Sequence, residues 1–194
     1  GSDATLTSLN SDIVFSGTVD SDSTARTLAL SSGSTIAFSD AVGATNPLAS
    51  LTSAATGQTT VANNVTITGL QNYSTPVTLL NDVAFQGGEG QFTGGLDGSQ
   101  QDLTLNFTAP VTINGSETFG NIGNLSVQNA ANLSGTINTT GFQNYGGAVT
   151  LVGDTTLQGT FGEFVSGMDG QANNLQLEFS SETEINGSTV FANI

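Results

Sequence analysis

Gln71-Asn72-Tyr73-Ser74-Thr75-Pro76-Val77-Thr78-Leu79 returns as Gln143-Asn144-Tyr145-Gly146-Gly147-Ala148-Val149-Thr150-Leu151, and the two stretches stay in step from there on. Residues 71–122 align with residues 143–194 at a constant offset of 72 with no gap, and 24 of the 52 positions are identical. Ile113-Asn114-Gly115-Ser116, for example, returns as Ile185-Asn186-Gly187-Ser188. A fainter copy precedes both. Phe15-Ser16-Gly17 and Asp20 stand 77 residues before Phe92-Thr93-Gly94 and Asp97, and the offset falls to 75 at Leu28 and Phe38 and to 72 by Val65. A unit this long, returning in order, marks an array in which each unit buries its apolar face against its neighbours.

Within each unit apolar and polar residues alternate, as in Leu28-x-Leu30, Ile36-x-Phe38, Val77-x-Leu79, Leu103-x-Leu105-x-Phe107 and Leu175-x-Leu177-x-Phe179. Period two over short runs means half-buried strands, and no window of eleven residues carries the helical spacing, so almost no helix is expected. Asp97-Gly98, Asp169-Gly170, Asn114-Gly115, Asn186-Gly187, Gly87-Gly88 and Gly146-Gly147 separate the runs. Such dipeptides also close two-residue hairpins and would suit an antiparallel sandwich. The return of the same strands and corners in the same order favours a coil instead. The expected fold is all-β, a right-handed parallel β-helix (β-solenoid) of ~72-residue repeats, each of three to four coils of roughly 18–24 residues, with rungs ~4.8 Å apart.

Residues 5–194 then form one solenoid segment, with approximate repeats 5–76, 77–148 and 149–194. Residues 1–4, which open Gly1-Ser2, read as a disordered cloning remnant. The first copy's extra residues, around Asp22–Arg26 and between Ala41 and Asn64, are placed in corner loops, because an insertion within a rung breaks its register. Like residues of successive units are expected along one shared axis. Asn114 and Asn186 would lie several rungs apart, capping corners locally rather than joining one ladder.

Charged residues make up only 9% of the 194, so Thr, Ser, Asn, Gln and Gly must cover the surface. Arg26 is the single cation against sixteen carboxylates, a formal charge of −15. Nucleic acid and anionic membranes are poor partners for that charge. No stretch approaches 18 uninterrupted apolar residues, so no membrane insertion is expected. With neither His nor Cys, the nucleophilic triads, the usual zinc sites and disulfides are ruled out. Gly87-Gly88-Glu89-Gly90 lacks the cation of a phosphate loop.

Carboxylate chemistry remains. Asp20/Asp22 and Glu182/Glu184 have the spacing of an acid pair on one strand face, yet neither recurs and neither has aromatic sugar platforms beside it, so both read as solvated acids. Asp82/Asp154 and Asp97/Asp169 do recur, and the latter two precede Gly, which points to turns. Calcium would need six to eight oxygens, and the G-G-x-G-x-D pattern is absent. No catalytic, cofactor-binding or metal-binding residue is therefore assigned, and no cofactor. Eight Asn-x-Ser/Thr sequons, at Asn64, Asn72, Asn106, Asn114, Asn124, Asn132, Asn138 and Asn186, read as structural. The recurring Phe residues are expected to stack inside the coil. Tyr73 and Tyr145 are expected at corners, their hydroxyls reaching solvent or a backbone carbonyl.

The strings Phe92-Thr93-Gly94-Gly95-Leu96-Asp97-Gly98, Leu103-Thr104-Leu105-Asn106, Val111-Thr112-Ile113-Asn114-Gly115 and Thr139-Thr140-Gly141-Phe142-Gln143-Asn144-Tyr145 resemble the stalk repeats of filamentous-haemagglutinin-like proteins. These are large secreted surface adhesins of Gram-negative bacteria and include two-partner-secretion exoproteins. The resemblance covers residues 5 to 194. It implies a right-handed parallel β-helix within a long extracellular fibre, an interior segment without the family's secretion domain and without catalytic residues. The implied function is a non-enzymatic, rigid, extended stalk at the bacterial cell surface. Its partners would be neighbouring repeats of the same chain, with host or matrix glycan or protein bound through other regions. The alternatives are a glycan- or partner-binding module on the polar Thr/Asn faces and a carbohydrate-active enzyme. Thr66-x-Thr68 does not return as a continued stripe, which weakens an ice-binding version of the module. Rungs exposed at the ends would favour end-to-end self-association.

Sixteen carboxylates on one small chain repel one another. Added sodium chloride should raise the melting temperature by screening that repulsion; a flat or falling melting curve between low and moderate salt would contradict this.

Overall fold

Alternating apolar side chains close the chain into a coil with three short sides per turn. The structure, a computed structural model of the chain, describes residues 1–115, 119–186 and 191–192. It is an all-β solenoid of about 9 turns. Among the described residues every paired strand runs parallel to its neighbours and no α-helix occurs, so the hairpin alternative falls away.

The first sheet stacks β1 (Ala4–Ser8), β3 (Thr27–Ser32), β5 (Ser50–Ala55), β8 (Leu70–Tyr73) and β11 (Glu89–Phe92). The second stacks β2 (Ile13–Phe15), β4 (Ile36–Phe38), β6 (Thr59–Val61), β9 (Val77–Leu79), β12 (Leu96–Asp97) and β15 (Phe119–Gly120). The third runs through β7 (Val65–Thr66), β10 (Val83–Gly87), β13 (Leu103–Phe107), β16 (Leu125–Val127), β18 (Phe142–Tyr145), β20 (Phe161–Phe164) and β23 (Thr183–Ile185). Single bridges Val19↔Val42 and Val42↔Val65 carry it back through the first turns. A fourth sheet holds β14 (Val111–Asn114), β17 (Ala131–Asn138), β19 (Val149–Gly159), β21 (Met168–Asp169) and β24 (Phe191–Ala192), with β22 (Leu175–Phe179) paired to β19. Strands β17 and β19 are long enough to turn a corner, with a register shift between Leu133 and Gly135, so this sheet covers two sides of the later turns.

Register turns alternation into a core. Val83, Leu103 and Leu125 stand side by side, as do Phe85, Leu105 and Val127, and all six are at most 3% exposed. The residues between them, Thr104 and Ser126, are half-buried and face outward. Each fully buried apolar side chain contributes roughly 1.5–3 kcal/mol over its exposed state. Aromatic rings stack down the same interior: Phe15 on Phe38 at 5.3 Å, Tyr73 on Phe92 at 5.2 Å and Tyr145 on Phe164 at 5.3 Å between centroids.

The sequence repeat and the coil are out of phase. From β8 to its equivalent β18 the chain passes eleven sides: β8 through β16, then the two halves of β17. At three sides per turn this is three and two-thirds turns. Equivalent residues therefore sit on different sheets. Gln71-Asn72-Tyr73 lies in the first sheet and Gln143-Asn144-Tyr145 in the third; Val77-Thr78-Leu79 lies in the second and Val149-Thr150-Leu151 in the fourth. Like residues share the coil's axis but not one line along it. Any inward position fits any side, because each side asks for the same alternation.

The first two turns are long. Starts at residues 4, 27 and 50 give 23 residues each, against 19 between the starts at 70 and 89. The extra residues sit at corners 20–26 and 43–49; the rest of the stretch between Ala41 and Asn64 is largely β5 and β6 rather than loop. Gly43 holds the second corner with φ +70°, and a Cβ there would lie 2.0 Å from the Thr66 carbonyl oxygen. At the start of the chain Ala4 begins β1, and the Asp3 carboxylate accepts the Thr27 N–H at 2.9 Å.

Corners entering the third sheet are held by a ladder of short acceptors. Asn64 accepts the N–H of Ala84, Asp82 that of Asp102, Asp102 that of Asn124, and Asn124 that of Phe142, each at 2.8–2.9 Å. One side-chain oxygen per turn thus satisfies a backbone donor that the bend leaves without a strand partner. The ladder joins residues that are not equivalent in the sequence repeat, while Asp154 repeats the Asp82 role at another corner by accepting the Asn174 N–H. Asp102→Ala should lower the unfolding free energy by about 1–2 kcal/mol, whereas Asp102→Asn, which keeps the acceptor, should cost less. Equal loss in both variants by urea titration would mean that charge, not capping, is what Asp102 contributes.

Candidate functional site

The aspartates singled out in the sequence are distributed around the coil as caps. Asp20 accepts the N–H groups of Thr45 and Asn46 at 2.8 and 3.0 Å, and these two bonds hold its carboxyl below the usual carboxylate range. Asp22 lies 2.9 Å from the amino terminus and 3.2 Å from Arg26 Nε. The amino terminus, the Thr24 N–H and Arg26 together push its pKa strongly down. Depressed carboxyl groups stay ionised near neutrality and cannot act there as general acids. They favour the folded state above the ordinary carboxylate pKa, and that contribution fades as pH falls through their lowered values.

Asp97 and Asp169 each accept an N–H two residues on, from Ser99 at 2.8 Å and Gln171 at 3.1 Å. The next residues take left-handed conformations in both copies: Ser99 and Gln100 at φ 49° and 67°, Gln171 and Ala172 at 48° and 64°. The turn reading of the Asp-Gly pairs therefore holds. Glu182 offers its carbonyl to the Gly162 N–H at 3.1 Å, and Glu184 is exposed in β23 opposite Glu163 of β20. Both oxygens of Glu163 are engaged, by the side-chain amides of Asn144 and Asn186. Among the described residues no three acidic side chains converge as a metal site would require.

Tyr73 and Tyr145 overturn the corner expectation. Both are fully buried within strands β8 and β18. The Tyr73 hydroxyl donates to Gln71 Oε1 at 3.1 Å, and Gln71 Nε2 donates to the Gln86 carbonyl at 2.8 Å. The second copy repeats this. Tyr145 donates to Gln143 Oε1 at 2.9 Å, and Gln143 Nε2 donates to the carbonyls of Gln158 at 2.8 Å and Ile137 at 3.0 Å. Burial pushes both phenol pKa values up, so the hydroxyls remain donors. The signal was in the sequence as Gln-x-Tyr at spacing two, which puts both side chains on the inner face; the polarity of Gln-Asn suggested a corner instead.

A break in the first wall forms a cleft. Strand β11 ends the first sheet and β14 begins the fourth, and no ladder joins them. A cavity of about 410 Å³ lies between them, lined by Glu89, Gln91, Phe92, Thr112, Asn114 and Phe119 among others. Phe92 and Phe119 meet edge to face at 5.9 Å on its inner side. A second hollow of about 280 Å³, beside β15 and β17, shares Phe119. Sequence reasoning could not find this cleft, because β11 and β20 carry equivalent residues yet only β20 is paired on both edges. Searches of family models, curated proteins and solved structures match nothing to this chain.

Removing the Tyr145 hydroxyl strands a buried amide oxygen. Tyr145→Phe should cost about 1–3 kcal/mol in urea unfolding, and Tyr73→Phe a similar amount. Unchanged stability in both would show that the Gln–Tyr bonds contribute nothing net.

Proposed function

We propose that this chain is a non-enzymatic structural segment, a rigid extended stalk belonging to a secreted bacterial surface adhesin. The observation that carries the reading is the third sheet, whose ladder continues without a break from β7 to β23. Its backbone hydrogen bonds lie along the coil axis, so this wall carries tension from turn to turn even where the first wall parts between β11 and β14. At ~4.8 Å per rung, about nine turns span roughly 40–45 Å. Polar, charge-poor side chains cover the outside, and the aspartates are engaged as acceptors of backbone N–H groups. The assignment to an adhesin and to the cell surface rests on the resemblance of the repeat strings to filamentous-haemagglutinin-like stalks.

The cleft beside β11 supports a second reading, a rod that also binds a ligand on its flank. The stalk reading is tested by immunogold labelling of intact cells of the producing bacterium. Grains displaced from the outer surface along filaments are expected. Grains seen only after permeabilisation, or flush with the membrane, would refute it.

A further inference from the structure

The parting of β11 from β14 is specific to one copy of the repeat. Seventy-two residues later the equivalent strands β20 and β23 pair in register, Gly162 with Thr183, Glu163 with Glu184 and Phe164 with Ile185. Gly162 donates to the Glu182 carbonyl there, and no corresponding bond joins Gly90 to Pro110. Pro110 stands where the paired copy has Glu182, while Val111 donates forward to Ala130 of the following turn as Leu103 does to Asn124, so the parting lies on the β11 side alone. Two strand edges thus face each other across the cleft.

From this we infer that the cleft between β11 and β14 is a binding site for a neutral pyranose unit of an oligosaccharide. Its volume of about 410 Å³ lies within the roughly 300–1,000 Å³ of small-molecule pockets. The rim supplies amide, hydroxyl and carboxylate groups from Gln91, Asn114, Thr93, Thr112 and Glu89, a set that both donates to and accepts from sugar hydroxyls. Gln91 Nε2 already donates to Glu89 Oε1 at 2.6 Å, which orients the pair. Pro110, exposed at the rim, offers an apolar contact to the C–H face of a pyranose, while Phe92 and Phe119 close the inner wall behind it as buried rings. Acidic sugars are disfavoured, since Glu89 is the one charged group of the lining among the described residues and the chain carries −15.

This proposal is independent of the stalk reading, since a rod with or without a ligand winds alike. The test is amide NMR of the isotopically labelled chain, titrated with methyl glucoside, methyl galactoside, cellobiose and lactose, with digalacturonate as the anionic comparison. The expected result is saturable shifts at Gln91, Thr112 and Asn114 with a neutral sugar, weaker with digalacturonate, and none at Gly162 or Glu163. Gln91→Ala, a half-buried surface change, should weaken binding about tenfold while leaving the melting temperature unchanged. Thr112→Glu, which installs the residue of the paired copy, should weaken it further. Hydrogen exchange gives a ligand-free check: the Gly90 amide should exchange much faster than that of Gly162. Equal protection of the two amides, no shift with any neutral sugar, or a stronger response to the anionic one would each overturn the proposal.

Discussion

Backbone pairing between successive turns is the constraint on which everything else depends. Each turn must present its N–H and C=O groups to the turns above and below, and a parallel ladder does this only if the turns stay in register. Register in turn fixes which side chains point inward, because a slip of one residue would send Leu103, Leu105 and Phe107 to the surface and Thr104 and Asn106 to the core. The corner ladder of Asn64, Asp82, Asp102 and Asn124 secures that register where the chain bends and the sheet offers no partner.

The same constraint explains how a 72-residue repeat can ignore the number of sides per turn. A side is specified by two or three alternating apolar residues and a capped corner, and it carries no mark of which wall it will join. Eleven such sides fit as well as nine or twelve. The consequence is that equivalent residues rotate around the rod, so a surface feature of one copy is displayed in a different direction by the next. It also lets equivalent strands have different neighbours, which is how β20 comes to be paired on both edges while β11 borders a cleft.

Much of this was legible before any coordinates. Leu103-x-Leu105-x-Phe107 and its kin announce strands, and repetition of strand and corner in fixed order announces a parallel coil. Asp97-Gly98 and Asp169-Gly170 were readable as turns because Asp accepts locally and Gly tolerates the bend. Three things were not legible, for physical reasons. The phase between repeat and coil depends on corner angles, which hydrophobic spacing does not encode. Tyr73 and Tyr145 looked like surface residues because Gln71 and Gln143 are polar, and only the fold shows that each Gln reaches a corner carbonyl from inside. The cleft depends on how two turns stack, and Gly90 and Gly162 are the same residue at equivalent positions of the repeat.

Cross-linking of introduced cysteines tests the winding most directly, since the chain has none of its own. Thr104 of β13 lies beside Ser126 of β16 in the third sheet, while its sequence equivalent, Gln176, lies in β22 on another side. Neighbouring in-register positions fall within the ~4.4–6.8 Å Cα separation that a disulfide spans. Thr104→Cys with Ser126→Cys should form an intramolecular disulfide readily under mild oxidation, and Thr104→Cys with Gln176→Cys should not. Efficient closure of the second pair, or failure of the first in folded protein, would contradict a three-sided coil of parallel rungs.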